Sequence, residues 1–468
     1  MVIDFLIEMK AELLVTLLIF ILLFIKLSNR EIKNERLLVT VNILLFINLL
    51  SGFFFARTGN LFGEMFQTNE LIRLEKNLLN LGTFVISLQA YAWLKDHKHV
   101  AEFYVLLLCT LLGLFFMISS GNILMFYLAL ELSTIPLAAL CNFELEKRRS
   151  SEAAFKMIIS SAFSSGLLLF GISLVYGATG SLNFSEITAH LNNDPLTICA
   201  FVLLISGFGF KISAVPFHLW TADVYEGSPV AVTAYLSAIS KGGVLFVLLA
   251  VLNNVFLPLG NTWYNILCVL SVATMLLGNL FALRQQNMKR FLAFSSISQV
   301  GFILIGMSGQ SAEGSASVIY FILVYIFSNL GAFGVVSIVS AITGKETLDE
   351  YKGFYRNNPV LSWVLAISLF SLAGVPPTAG FFGKFFLLLA GAGKYNWLLI
   401  TIAALNMVIS LYYYLRIVRA LFMDDNEEAI ERIRINGAAR IAFAICIGGI
   451  VISGLASGAY DYIYSLVK

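Results

Sequence analysis

Apolar runs of about twenty residues recur from one end of this chain to the other. An α-helix rises 1.5 Å per residue, so about twenty residues cross the hydrocarbon of a bilayer. Lipid offers no partner to a backbone amide or carbonyl, and a helix satisfies all of its own. The runs therefore predict an all-α integral membrane protein. Composition agrees: 59% of the 468 residues are hydrophobic and 12% charged, where soluble domains carry roughly 25% charged residues. The net charge of +2 is too small for a nucleic-acid surface, so the expected surroundings are bilayer and protein.

The pattern predicts about 14 transmembrane helices, near 11–28, 37–56, 77–94, 102–119, 121–142, 154–177, 196–221, 229–253, 262–283, 290–308, 315–341, 360–392, 396–415 and 438–464. Span seven contains Pro216, and span twelve, too long for one straight crossing, contains "GVPPTAGFFGKF" (374–385). Both read as discontinuous helices, broken at Pro216 and at Pro376–Pro377. The polar stretches 57–76, 178–195 and 416–437 read as loops.

An even number of spans puts both termini on one side. Twenty-one basic residues fall in alternate loops starting after span one, with Lys26, Arg30, Lys33 and Arg36 in the first of them, and six fall on the other side. Lysine and arginine accumulate on the cytoplasmic face, so both termini are expected outside. "AVPFHLW" (214–220) and "GVPPTAG" (374–380) share a Val-Pro break five spans apart. An odd offset reverses orientation, the mark of two inverted five-helix repeats, which in transporters meet at a mid-membrane site. The expected division is 1–101, an N-terminal three-helix segment; 102–253, spans four to eight; 254–423, spans nine to thirteen; and 424–468, a final helix.

Asp4, Glu8 and Glu12 precede the first apolar run, so an uncleaved helix is expected there rather than a signal peptide. Cys109, Cys141, Cys199, Cys268 and Cys446 all lie in apolar runs without C-x-x-C spacing. They read as small core residues, and no metal site is expected. There is no G-x-G-x-x-G and no Walker A; "GAGKY" (391–395) lacks the upstream glycine and the Ser/Thr. No nucleotide, flavin or iron–sulfur cofactor is expected on this chain.

A charge at mid-bilayer costs at least a few kcal/mol and marks function by default. Four ionisable residues lie deep by count: Glu131 in span five, Lys211 in span seven, Lys241 in span eight, and Lys384 beyond the break of span twelve. Glu131 and Lys211 could form a static pair between helices, and Lys241 or Lys384 could snorkel to an interface. Buried pairs stabilise poorly compared with apolar packing, so their presence calls for another reason. A lysine kept from water and from carboxylates can give up its proton. One carboxylate and three lysines in the membrane's middle thus predict a proton relay. The helix breaks free carbonyls and amides that can hold water beside them, and Pro216 lies about one turn beyond Lys211. His218 and Lys156 are further candidates for the relay. Asp223 and Glu226 read as a solvated turn. Ser295, Ser296, Ser298 and Gln299 on span ten read either as packing contacts or as the lining of a water path.

At these residues the chain resembles the antiporter-like, proton-conducting subunits of respiratory complex I and the related multisubunit cation/proton antiporters. The shared marks are Glu131, the "K-x-x-x-x-P-x-H-x-W" of 211–220, Lys241, "NMKRFLAFSSISQVGF" (287–302) and "GVPPTAGFFGKF" (374–385). "DVYEGSP" (223–229) and Lys384 resemble one branch in particular; Ala222 stands where the family often has proline. The resemblance implies a translocase subunit of NADH:quinone oxidoreductase in a bacterial inner membrane, beside other antiporter-like subunits. NADH, FMN, iron–sulfur clusters and quinone would be handled by partner subunits. It implies Glu131–Lys211 as the modulating pair, Lys241 as the central relay and Lys384 as the outward terminal one. The alternative within the resemblance is a subunit of a sodium/proton antiporter with no redox role.

Overall fold

Asn122 and Asn287 start two helices in the same way. Each side chain accepts from the amides two and three residues on, at 2.9 and 3.4 Å for Asn122 and at 2.9 and 3.2 Å for Asn287. Both caps also join a later segment as a short antiparallel bridge, Asn122 with Asn183 and Asn287 with Thr347. A cap of this kind satisfies amides that a helix start leaves bare. The helices they open are Ile123–Cys141 and Met288–Ser308. Each is followed by a 32-residue helix, Arg148–Thr179 and Ala312–Thr343, closed by a left-handed glycine, Gly180 or Gly344. Positive φ is what glycine tolerates at a helix end.

The structure is a computed structural model that describes residues 2–28, 33–54, 57–426, 429–456 and 458–468, with side chains from residue 5 onward. Arg30 and the side chain of Asp4, both used in the sequence reading, lie outside the described residues. Among the described residues, eleven helices are long and apolar enough to cross a membrane, and Pro359–Ala373 and Ala379–Ala392 are shorter apolar helices. The chain is thus an all-helical membrane protein with about 11–13 apolar spans. Helices also occupy the first and third expected spans, Lys10–Leu27 and Glu70–Gln89, but they carry more charge.

Several boundaries differ from expectation. The stretch 57–76 is not a simple loop: Gly59–Leu61 pairs antiparallel with Phe66–Thr68, and the next helix already begins at Glu70. Phe62, Gly63 and Glu64 take positive φ in the turn between the two strands. The helix Trp397–Phe422 runs seven residues into the expected 416–437 loop. The last expected span is two helices, Gly437–Leu455 and Gly458–Val467. Glycines, of low helix propensity, flank the join at Gly454 and Gly458. A Cβ on Gly454 would meet the Pro377 carbonyl at 2.7 Å, so only glycine lets this helix rest on the Pro377 turn.

Backbone contacts divide the chain into two compact units. The first comprises residues 1–84, 94–212 and 239–263. In it Gly113 lies against the backbone of Ser133, where a Cβ would come within 2.5 Å, and Gly171 and Gly207 allow Arg148–Thr179 to pack closely on Pro195–Ile212. The second comprises 85–93, 213–238 and 264–468. In it Gly278 lies against the backbone of Ser298 at 2.7 Å, repeating the Gly113–Ser133 approach with other residues. Helix Met288–Ser308 is buried along its length except at Arg290.

The cysteines are free thiols, and only Cys141 and Cys446 are core residues. Cys199 is exposed, since apolar residues of a membrane helix also face lipid.

Candidate proton relay

Span seven is broken as expected: the helix Pro195–Ile212 stops, and the next, Leu219–Gly227, starts after Pro216 and His218. Lys211 sits in the last turn of the first half, where a helix terminus favours a cation. Its ammonium does not turn to the freed backbone. Nζ donates to Thr134 Oγ1 at 2.6 Å and to Ser161 Oγ at 2.9 Å. Among the described residues no direct ion pair joins Lys211 to Glu131, so the alternative of a static contact pair does not apply. Glu131 accepts from Ser165. Helical spacing brings the hydroxyls to these two groups: Thr134 is one turn from Glu131, and Ser165 one turn from Ser161. Carboxylate and ammonium thus each rest on hydroxyls of the same two helices.

Lys241 is the first residue after a π-helical turn, Tyr235–Ser240, within the helical stretch from Val230 to Asn254. It is 2% exposed, so it does not snorkel. A π turn displaces the backbone bonding pattern and is frequent at functional positions. No residue pattern in 235–240 marks it.

Lys384, unlike Lys211, turns to backbone freed by a helix break. The half-helix Pro359–Ala373 ends on Gly374, with φ of 84°, and leaves its last carbonyls open. From the following half-helix, Ala379–Ala392, Lys384 Nζ reaches back to Leu372 O at 2.7 Å and Ala373 O at 3.3 Å. It also lies 4.8 Å above the ring of Phe302, and it is fully buried. Among the described residues no carboxylate touches it. The peptide bonds Val215–Pro216 and Pro376–Pro377 are both cis.

The polar residues of span ten are part of this second site. Gln299 Nε2 donates to the same Leu372 carbonyl at 3.0 Å and to Tyr414 Oη at 3.1 Å, and Ser295 shares a short hydrogen bond with Tyr414. Sequence reasoning missed Tyr414 altogether; the signal available was only "LYYYLR" (411–416) on an apolar helix.

The remaining candidates lie differently. His218 is buried at the start of Leu219–Gly227. Lys156 is on a helix surface, 38% exposed, paired with Glu152 one turn away at 2.8 Å. Asp223 and Glu226 are not a solvated turn: one turn apart on Leu219–Gly227, they share Arg290 Nη1 at 2.7 and 2.8 Å.

Fold and site together define an antiporter-like membrane subunit. Residues 120–410 match the family described as NADH:quinone oxidoreductase/Mrp antiporter, TM. The chain belongs to that family. A NADH-quinone oxidoreductase subunit N from Phocaeicola vulgatus is 47% identical over 423 residues, covering 90% of this chain and 89% of that protein. A subunit N from Azobacteroides pseudotrichonymphae is 48% identical over 418 residues, covering 88% and 87%. A chain in the structure of respiratory complex I from Thermus thermophilus with bound aureothin superposes with a TM-score of 0.83 at 27% identity, covering 96% of this chain and 97% of that one.

Proposed function

We infer that this chain is a proton-pumping membrane subunit of the subunit N type in NADH:quinone oxidoreductase, moving protons through Glu131, Lys211, Lys241 and Lys384. The observation that carries the reading is the setting of Lys384. Its buried ammonium rests on main-chain carbonyls. A carboxylate partner would be stranded as a buried charge when the lysine lost its proton. Carbonyls are left neutral, so both protonation states are affordable. The hydroxyl partners of both groups support a modulating role for Glu131: with no direct ion pair, it biases the charge on Lys211 without fixing it.

Electron transfer belongs to other subunits, which carry NADH, FMN, iron–sulfur clusters and quinone. The neighbours of this chain are further membrane subunits, antiporter-like ones among them, in a bacterial inner membrane with both termini on the periplasmic side. Two inverted five-helix repeats, 102–253 and 254–423 within fourteen spans, frame the relay between the three-helix segment 1–101 and the final segment 424–468. The matched caps of Asn122 and Asn287, the paired 32-residue helices and the two glycine approaches support the repeats. The inward lysine Lys156 and His218 extend the path towards the cytoplasm, and Lys384 releases outward.

Mild solubilisation, mass spectrometry of the intact assembly and an NADH oxidation assay test this reading. Redox subunits and NADH:quinone activity should accompany the chain. Co-purification with cation-antiporter subunits alone, without NADH oxidation, would overturn it.

A further inference from the structure

A second set of buried charges lies in the N-terminal helices, away in sequence from every relay residue. Glu12 and Lys76 form an ion pair of 2.5 Å, with side chains 1% and 5% exposed. Glu75, beside Lys76, is 6% exposed. Among the described residues Glu75 has no ion pair of its own, so two buried carboxylates stand against one buried ammonium. Glu12 Oε2 is buried with no hydrogen-bond partner among the described residues, and so is the Oδ1 atom of Asn80, one turn beyond Lys76. Buried polar atoms left without protein partners are normally met by water.

Water has a way in. Glu8, Arg57, Thr58, Glu70 and Arg73 line an open polar pocket of about 430 Å³. Two of these residues stand one turn outward from the ion pair: Glu8 precedes Glu12 by four residues, and Arg73 precedes Lys76 by three. The helix hydrogen bonds run through Met9, from Met9 N to Phe5 O and from Leu13 N to Met9 O, so that Glu8 and Glu12 share a face. Lys10, whose Nζ donates to Phe54 O, is a further charged group on the helix that carries Glu12.

We propose that Glu12, Glu75 and Lys76 form a second proton-holding site, hydrated from the Glu8–Arg73 pocket and sharing no residue with the relay. Its charge count gives the chemistry. Glu12 is committed to Lys76, so the unbalanced carboxylate, Glu75, holds the proton and exchanges it with water. On release the carboxyl O–H bond breaks, the proton passes to water, and the carboxylate is left facing the Lys76 ammonium.

A small carbodiimide tests this, because it adds to a protonated carboxyl and leaves a stable N-acylurea tag. The whole complex in membranes would be treated and the tag located by peptide mass spectrometry. Glu75 should carry the tag at neutral pH and lose it as pH rises, and Glu75→Gln should abolish it. Glu12→Gln frees Lys76 to pair with Glu75, so the tag on Glu75 should fall. Lys76→Met leaves both carboxylates without a cation, so Glu12 and Glu75 should both be tagged. A tag on Glu75 in Lys76→Met but not in the wild type would show an ionised Glu75 and overturn the proposal. No tag on Glu75 in either protein would contradict the hydrated access that the proposal requires.

Discussion

Lys384 and Gln299 share one acceptor, the main-chain carbonyl of Leu372, at 2.7 and 3.0 Å. That carbonyl is available only because the helix ends at Ala373. The break supplies the acceptor, Lys384 supplies the charge, and Gln299 ties both to Tyr414.

Gln299→Leu tests this arrangement. It keeps the volume and removes both donor bonds. A buried hydrogen bond is worth about 1 kcal/mol net, or roughly fivefold in a rate it supports. Pumping should fall by about that factor with assembly unchanged. The measurement is NADH-driven proton uptake in inverted vesicles, normalised to assembled complex.

The setting of Glu131 makes a graded prediction. Glu131→Ala removes the carboxylate and should lower pumping most. Glu131→Asp keeps the charge with a shorter reach and should retain part of it. Ser165→Ala leaves the carboxylate but takes away its donor, and should fall between the wild type and Glu131→Ala. Full quinone-linked pumping in Glu131→Ala membranes with normal assembly would sink the role given to Glu131.

Arg290 concerns stability rather than transport. Its two acids are partly exposed, and such pairs contribute about 0.2–1 kcal/mol each. Asp223→Asn alone should be tolerated, because Glu226 still holds the guanidinium. Asp223→Asn with Glu226→Gln should lower the thermal stability of the solubilised complex measurably, and added salt should shrink the difference between wild type and double variant.

Much of this was legible in the sequence because membrane helices are written in hydropathy and their breaks in proline. The deep charges stood out for the same reason: Glu131, Lys211, Lys241 and Lys384 interrupt runs in which a charge is costly. What the sequence concealed was the partner of each charge. Thr134, Ser161 and Ser165 are ordinary polar residues until two helices bring them to Lys211 and Glu131, and Leu372 reaches Lys384 through a carbonyl that any residue would have. The π turn before Lys241 has no compositional mark. Asp223 and Glu226 misled because an acidic turn and an amphipathic helix look alike without Arg290 in view. Glu12 and Lys76 fell at the edges of expected spans, where a charge normally meets water.

Orientation is open to direct labelling. The basic loops put Glu146 inside and Asn192 outside, and both residues are exposed. With the native cysteines replaced, Glu146→Cys should react with an impermeant thiol reagent only from the cytoplasmic side, and Asn192→Cys only from the periplasmic side. Reversed labelling would reverse the direction of the relay.

The central claim is that Lys384 works by losing its proton. Arginine keeps the charge and can donate to carbonyls, but it is effectively never deprotonated in proteins. Methionine keeps neither charge nor donor. NADH-driven proton uptake should be compared in inverted vesicles carrying Lys384→Arg and Lys384→Met, each normalised to assembled complex. The account predicts that both lose pumping to a similar extent. Near-normal pumping in Lys384→Arg, with loss only in Lys384→Met, would contradict it and leave Lys384 as a charged clamp on the Leu372 and Ala373 carbonyls.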